Sequence, residues 1–196
     1  RGDLRLAGGK QDQYAATFGG FNFMEFYGGE RVIVNPLRLK RWIRNELEAS
    51  LVLYYTGISR ESGNIISQQI ENTNKKDKSS VESMHELKKQ AVLMKEALLK
   101  GDMNTFSDCL LKGWLAKKNT ANSVSNPLLD DLYRYALDNG AESAKISGAG
   151  GGGFMMIYCD PCRRVGLLRA LKNRDGTALT PSFTETGTQA WTLFNR

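Results

Sequence analysis

A run of glycines follows a lysine and a serine in the last third of the chain, in the order Lys145-Ile146-Ser147-Gly148-Ala149-Gly150-Gly151-Gly152-Gly153. Backbone without Cβ atoms approaches a ligand closely, and successive amides in such a turn form a concavity that binds anions. Ser147 would add a hydroxyl and Lys145 a positive charge. The run therefore predicts a phosphate-binding loop, with a plain hairpin loop as the alternative. It is neither a Walker loop nor a dinucleotide fingerprint, because no Gly-Lys-Ser/Thr follows it and a strand, not a helix, comes next.

A second candidate lies near the start of the chain, in Gly8-Gly9-Lys10-Gln11-Asp12-Gln13. A carboxylate beside a lysine on a glycine-hinged segment can act as a general base, or can orient a hydroxyl for attack. An acid near glycines is also an ordinary turn or capping residue. The segment by itself therefore leaves both interpretations open.

A third candidate is Thr56-Gly57-Ile58-Ser59-Arg60, which follows a short run of strand-forming residues. Loops at strand ends often carry functional groups, and the guanidinium of arginine is suited to bidentate recognition of phosphate or carboxylate. The alternative for Arg60 is a surface ion pair with Glu61.

The pair Cys159-Asp160-Pro161-Cys162 lies between a predicted strand and a predicted helix, a placement that lowers the pKa of a thiol in dithiol oxidoreductases. The helices and glycine loop upstream differ from the βαβ unit expected there, which makes redox function the weaker interpretation. A zinc site would need the distant Cys109 and His85 to complete four ligands. His85 is the only histidine, which argues against a Ser/His/Asp or Cys/His nucleophile system.

Composition narrows the class of protein further. The 196 residues carry a formal net charge of +6, 41% are hydrophobic, and the mean hydropathy is −0.41. The longest apolar run is much shorter than the ~20 residues of a spanning helix, so we expect no membrane segment. The basic residues are scattered and no aromatic residues interleave them, so we expect no nucleic-acid partner. Three cysteines, an odd number, favour a reducing compartment, with the cytoplasm as the default.

The elements that position these candidates follow from local patterns. Two β-rich runs around Gly28-Gly29 predict a hairpin, and Leu51 to Tyr55 and Phe154 to Cys159 predict strands. Helices are predicted between them, with starts signalled at Ser62, Ser80, Asp102 and Asn126-Pro127, and another from Pro161 to Lys172. Two short strands, Leu179–Phe183 and Gln189–Phe194, are predicted to close the chain. Strands at both ends of a helical middle indicate an α+β fold with a mixed or antiparallel sheet.

Taken together, the motifs resemble those of the GHMP small-molecule kinases. The glycine run is similar to the third conserved motif of that superfamily, and Gly8 to Gln13 is similar to the segment where several members carry a catalytic aspartate. Adding Leu53 to Arg60 and Trp114-x-x-Lys117-Lys118, the chain resembles the heptose-phosphate kinase branch over essentially its whole length.

The resemblance implies a domain organisation. Residues 1–46 would be the tail of an N-terminal, nucleotide-binding domain, and residues 47–196 a GHMP kinase C-terminal domain with a small antiparallel or mixed sheet packed against helices. Family members carry an earlier Gly/Ser-rich loop around the ATP triphosphate, and no such segment occurs here. We therefore expect the remaining half to be a separate chain or an upstream segment. By itself this chain should show essentially no kinase activity.

The resemblance also implies a reaction, the transfer of phosphate from ATP, with Mg²⁺, to the anomeric hydroxyl of a heptose phosphate. Asp12 would accept or orient the hydroxyl proton, Lys10 would stabilise negative charge, and Ser147 with the amides of Gly148 to Gly152 would face the transferring phosphate. Substrate contacts would come from Gly9, Gln13, Thr56 and Arg60, with Arg60 on the substrate phosphate. The expected partners are the sugar phosphate, ATP and the missing half, and a homodimer stays open. A non-catalytic binding module with the same domain shape is the main alternative.

Overall fold

The computed structural model describes residues 8–58, 62–75 and 77–191. The chain divides into two compact units, one formed by the described parts of Arg1–Leu39 and Ser182–Arg196 and the other by Lys40–Pro181. This division falls before the helix Arg41–Ser50, and the domain boundary that the resemblance implies between residues 46 and 47 stays a prediction. The helix belongs with the second unit because its Ile43 and Leu47 side chains are buried there.

The first unit contains one helix and a two-stranded sheet. Helix α1 (Gln11–Phe18) precedes strands β1 (Asn22–Phe26) and β2 (Val32–Pro36), which pair antiparallel with Met24 opposite Val34. The predicted hairpin around Gly28-Gly29 is therefore present. Helix α1 was not predicted, because the glycines before it dominate the local sequence signal. Asp12 therefore lies in the first turn of a helix that follows the glycine-containing segment.

The second unit is built on a four-stranded antiparallel sheet. Its strands are β3 (Leu51–Tyr55), β4 (Ala141–Ile146), β5 (Phe154–Cys159) and β6 (Thr177–Leu179), in the spatial order β4-β5-β3-β6. The two predicted strands that flank the glycine run, β4 and β5, are direct neighbours, with Ile146 opposite Met155. The glycine run therefore connects two paired strands at one end of the sheet.

Helices surround this sheet: α2 (Arg41–Ser50), α3 (Ser62–Asn74), α4 (Lys78–Lys100), α5 (Met103–Lys118), α6 (Pro127–Asp138) and α7 (Arg164–Leu171), with a 3₁₀ turn at Asn122–Val124. The side chains of Asp102 and Asn126 cap α5 and α6 as predicted, each accepting a hydrogen bond at 3.0 Å from a backbone amide. The predicted cap at Ser80 is wrong. Asp77 caps α4 by accepting from the Ser80 amide at 2.8 Å, and Ser80 is buried within the helix.

The core lies where α5, α6 and α7 contact the sheet. Trp114 of α5, Val52 of β3, Ile157 of β5 and Leu167 of α7 are all fully buried in one apolar cluster. Ser107 of α5 and Ser143 of β4 share a buried hydrogen bond of 2.8 Å. Helix α5 is thus held against β4, the strand that leads into the glycine run.

The last predicted elements differ from the structure. Strand β6 covers Thr177–Leu179 rather than Leu179–Phe183, because its register is set by pairing with β3, where Tyr55 lies opposite Thr177. Residues 189–191 form no strand, and the rest of the strand predicted over Gln189–Phe194 lies outside the described residues.

Within the described ranges, no helix is both long and apolar enough to cross a bilayer.

Candidate functional site

The glycine run forms the loop of the β4–β5 hairpin, and the Ser147 amide closes it by donating to the Phe154 carbonyl at 2.8 Å. Left-handed backbone is required through most of this loop, since φ is positive at Gly148, Gly150, Gly151, Gly152 and Gly153. A residue with a Cβ rarely adopts such values. The glycine run therefore does connect β4 and β5 as a hairpin loop. Whether it can also bind a phosphate depends on the contacts that the loop makes.

Two carbonyl groups from other parts of the unit hold the loop in place. The Gly151 amide donates to the Val124 carbonyl, and the Gly153 amide donates to the Ile58 carbonyl, each at 2.8 Å. A Cβ at Gly150 would lie 2.6 Å from the Val124 oxygen, and a Cβ at Gly152 would lie 2.5 Å from the Ile58 oxygen. Only glycine permits this approach, so the loop has a defined conformation.

Thr56, predicted to contact substrate, lies directly against this loop. Its amide and its hydroxyl both donate to the Gly153 carbonyl at 2.9 Å, and the hydroxyl accepts from the Ile58 amide at 3.3 Å. The residue is buried. Its observed contacts therefore fix the loop, and a contact with substrate stays a prediction.

The loop keeps amides that the chain itself does not use. Those of Ser147, Gly151 and Gly153 donate to carbonyl groups, whereas those of Gly148, Ala149, Gly150 and Gly152 make no hydrogen bond with the part of the chain that the structure describes. Donors that are fixed in place and left without acceptors suit an anionic oxygen. Unpaired amides in a glycine loop are the type of donor that a phosphate-binding loop uses.

Two lysines accompany the loop. The Lys117 ammonium, at the end of α5, donates to the Gly148 carbonyl. Lys145 lies on β4 two residues after Ser143, so it shares the strand face that contacts α5. Burial lowers the pKa of Lys117 to about 8, with repulsion from Lys145 as the second cause, and burial also lowers the pKa of Lys145. Lys145 was a sequence candidate. Lys117 was not a candidate. It belongs to the Trp114-x-x-Lys117-Lys118 pattern, which could have identified it.

The remaining predicted site residues near the start of the chain belong to the first unit. Gly9 and Lys10 line a cleft of about 260 Å³ together with residues of the β1–β2 turn, and the Lys10 ammonium lies 3.9 Å from the carboxylate of Glu30. Asp12 and Gln13 are exposed in the first turn of α1. The roles of these four residues stay predictions, as does that of Arg60, which lies outside the described residues.

The structure does not favour a redox role for Cys159 and Cys162. Cys159 is fully buried, its thiol donates to the Ser50 carbonyl at 3.6 Å, and burial raises its pKa to about 11. Cys162 is exposed, and both are free thiols. A reactive dithiol needs a lowered pKa, so the geometry is opposite to the one that redox chemistry requires.

The described residues contain no cluster of three or more His, Cys, Asp and Glu side chains that could hold an ion. These residues therefore supply no all-protein cage for a metal ion.

The fold and the glycine hairpin together define the class. Residues 94–175, which include the loop and strands β4 and β5, match the family model described as GHMP kinases C terminal. Over these residues the chain is similar to the C-terminal domain of the GHMP kinases.

The chain is also similar to individual kinases. The chain is 49% identical over 193 residues to D-glycero-alpha-D-manno-heptose 7-phosphate kinase from Campylobacter jejuni, covering 98% of this chain and 56% of that protein. Among solved structures, a D-glycero-D-manno-heptose 1-phosphate kinase from Bacteroides thetaiotaomicron is 38% identical with a TM-score of 0.73, covering 98% of this chain and 52% of the other. The L. major mevalonate kinase in complex with R-mevalonate is 20% identical with a TM-score of 0.72, covering 88% and 53%, and supports the fold alone. The chain spans about half the length of these proteins.

Proposed function

We propose that this chain is part of an ATP-dependent sugar kinase that phosphorylates the anomeric hydroxyl of a heptose phosphate. The observation that carries the proposal is the glycine hairpin. Among the described residues, four of its amides have no acceptor, and the two lysines beside it have no carboxylate partner. The 49% identity to a heptose 7-phosphate kinase supports the choice of substrate.

Phosphoryl transfer requires little covalent chemistry from protein groups. The protein therefore contributes mainly by positioning the reactants and by stabilising negative charge. The amides of Gly148, Ala149, Gly150 and Gly152 would donate to the oxygens of the transferring phosphoryl group. Their positions are fixed before ligand binds, since Val124, Ile58 and Thr56 hold the loop through its other hydrogen bonds. Preorganised donors of this kind need no rearrangement as negative charge develops.

The acceptor side of the reaction is assigned by the resemblance. Asp12 would accept or orient the proton of the attacking hydroxyl, and Lys10 would stabilise the charge that develops nearby. Gly9, Gln13 and Thr56 would contact the sugar, and Arg60 would bind its existing phosphate through the planar guanidinium. ATP would donate the phosphoryl group, with the magnesium ion that the family resemblance implies.

A chimaera with a longer relative tests this function. The segment of the Campylobacter jejuni kinase that this chain matches is replaced by the chain, and ATP turnover is measured with a heptose 7-phosphate, a heptose without phosphate, and mevalonate. We expect turnover with the heptose 7-phosphate and essentially none with mevalonate. The 196-residue chain alone serves as a control and should turn over no ATP.

Failure of the chimaera while it remains folded would favour the alternative, a ligand-binding module with the shape of a kinase C-terminal domain. Circular dichroism and thermal unfolding establish whether it has folded. Equal turnover with the phosphorylated and the unphosphorylated heptose would show that the enzyme does not recognise the phosphate of its substrate.

A further inference from the structure

Lys117 and Lys145 form a pair of partly buried cations that has no counter-charge in the described chain. Lys117 lies at the end of α5 and Lys145 on β4, and the pKa of Lys117 is lowered first by burial and second by repulsion from Lys145. Neither ammonium has a carboxylate within ion-pair distance among the described residues. The one polar contact of Lys117 there is with the Gly148 carbonyl.

The neighbouring Lys118, in contrast, forms an ion pair. Lys118 lies one residue further along the chain, and its ammonium is 3.2 Å from the carboxylate of Asp130 on α6. That carboxylate also accepts from the Ser125 hydroxyl at 2.9 Å. Asp130 is therefore engaged elsewhere, and among the described groups only Lys145 adds a charge effect to the pKa of Lys117.

Two like charges in a partly desolvated site destabilise the folded chain unless an anion joins them. The site is adjacent to the loop amides that lack acceptors, because Lys117 contacts Gly148, the first glycine of the loop. Amides and ammonium groups both suit the same kind of ligand, a group with several anionic oxygens.

We propose that Lys117 and Lys145, with the free amides of the glycine loop, form one phosphate-group subsite, in which Lys117 both positions the loop and neutralises the bound anion. Its identification with a phosphate of ATP or of the sugar rests on the proposed function, but anion binding itself does not. Binding should raise the proton occupancy of Lys117, since an adjacent anion favours the charged form.

The first test is calorimetric titration of the 196-residue chain with pyrophosphate at pH 7. Lys117→Met should weaken binding about 10- to 100-fold, the usual effect of removing a charge-assisted hydrogen bond, and Lys145→Met should weaken it in the same direction. Lys117→Arg should restore a large part of the affinity because it keeps the charge. The matched control is Lys112→Met, which removes an equal charge from an exposed position on the same helix.

A loss in Lys112→Met as large as in Lys117→Met would overturn the subsite, because it would show only an effect of net charge. Unchanged pyrophosphate affinity in Lys117→Met would overturn it as well. Thermal unfolding of each variant separates a folding defect from lost binding, and Lys117→Arg keeps the test valid if the methionine variant unfolds.

A second test uses pH with sulfate, whose charge is constant between pH 7 and pH 9.5. The affinity of the unmodified chain should fall across this range as Lys117 loses its proton, whereas Lys117→Met should bind weakly with a smaller pH dependence. A pH profile that is identical in the two proteins would contradict the assignment.

The source of the phosphate is resolved by titrating the same variants with ATP and with a hexose monophosphate. The ligand that occupies the subsite is the one whose affinity Lys117→Met reduces. If neither affinity changes, the subsite is refuted even if the chimaera turns over ATP. If pyrophosphate binding depends on Lys117 but the chimaera is inactive, the subsite stands and the proposed function fails.

Discussion

The carbonyl oxygen of Gly153 accepts two hydrogen bonds from Thr56, one from its amide and one from its hydroxyl, both at 2.9 Å. The two residues are far apart in sequence and belong to the neighbouring strands β3 and β5 or their immediate ends. This contact, with those of Ile58 and Val124, turns a sequence of consecutive glycines into a loop of defined shape.

Thr56→Val should destabilise the second unit by about 1 kcal/mol, because it removes the hydroxyl that bridges Gly153 and Ile58 while keeping the size of the side chain. Urea unfolding measures the change. Thr56→Ser keeps the hydroxyl and serves as the control. Equal stability of the valine variant and the natural chain would show that the backbone bond alone holds the loop.

Gly150→Ala should cost more stability than Gly148→Ala. At Gly150 the backbone has φ near 111° and a Cβ would lie 2.6 Å from the Val124 oxygen, whereas at Gly148 nothing lies within 4 Å of a Cβ. The strain of the backbone conformation alone is about 1–3 kcal/mol at such positions, and the overlap at Gly150 adds to it. Thermal unfolding of both variants checks the order, and a reversed order would mean that the loop is not held by Val124.

The stability of the chain should rise with pH more steeply than that of Lys117→Met between pH 8 and pH 10.5. The pKa of Lys117 is about 8 in the folded chain and near its ordinary 10.5 when unfolded, so the unfolded chain binds more protons in this window. This contribution is present above pH 10.5 and is lost as the pH falls through 8. Urea unfolding at several pH values measures both slopes, and Lys112→Met should follow the natural chain.

In the active chimaera, Asp12→Asn should lower turnover about 10²–10⁴-fold, because it removes a base while preserving the shape of the side chain. Binding of pyrophosphate by the loop should be unchanged. A variant that keeps more than about a tenth of the original turnover would show that Asp12 is not the general base.

Only one thiol should react quickly with a disulfide reagent at pH 8. Cys159 is fully buried with its pKa raised to about 11, and Cys109 is buried with its pKa raised by desolvation, whereas Cys162 is exposed. Cys162→Ser should therefore abolish fast labelling, and Cys159→Ser should leave it unchanged. Fast labelling of Cys159, or a disulfide between the two, would revive the redox interpretation.

Local signals were sufficient where the information lies within a few residues. Asp102 and Asn126-Pro127 mark the starts of α5 and α6 because a capping side chain needs only the amides of the next turn. The apolar run of β5 predicted its strand for the same reason. Helix α1 was missed because the glycines that precede it obscure the helical signal of a short segment with no buried residues.

The sequence by itself determined the family, through motifs whose residue types and spacing are specific, and the position of the glycine loop between two strands. Tertiary structure alone decided which loop amides remain available, because the carbonyl groups that engage the Gly151 and Gly153 amides, those of Val124 and Ile58, are distant in sequence. It also decided that Lys117 reaches Gly148 and faces Lys145, which depends on how α5 packs against β4. Packing between distant segments is a cooperative property of the whole core, so spacing along the chain could indicate an anion site but not all the groups that form it.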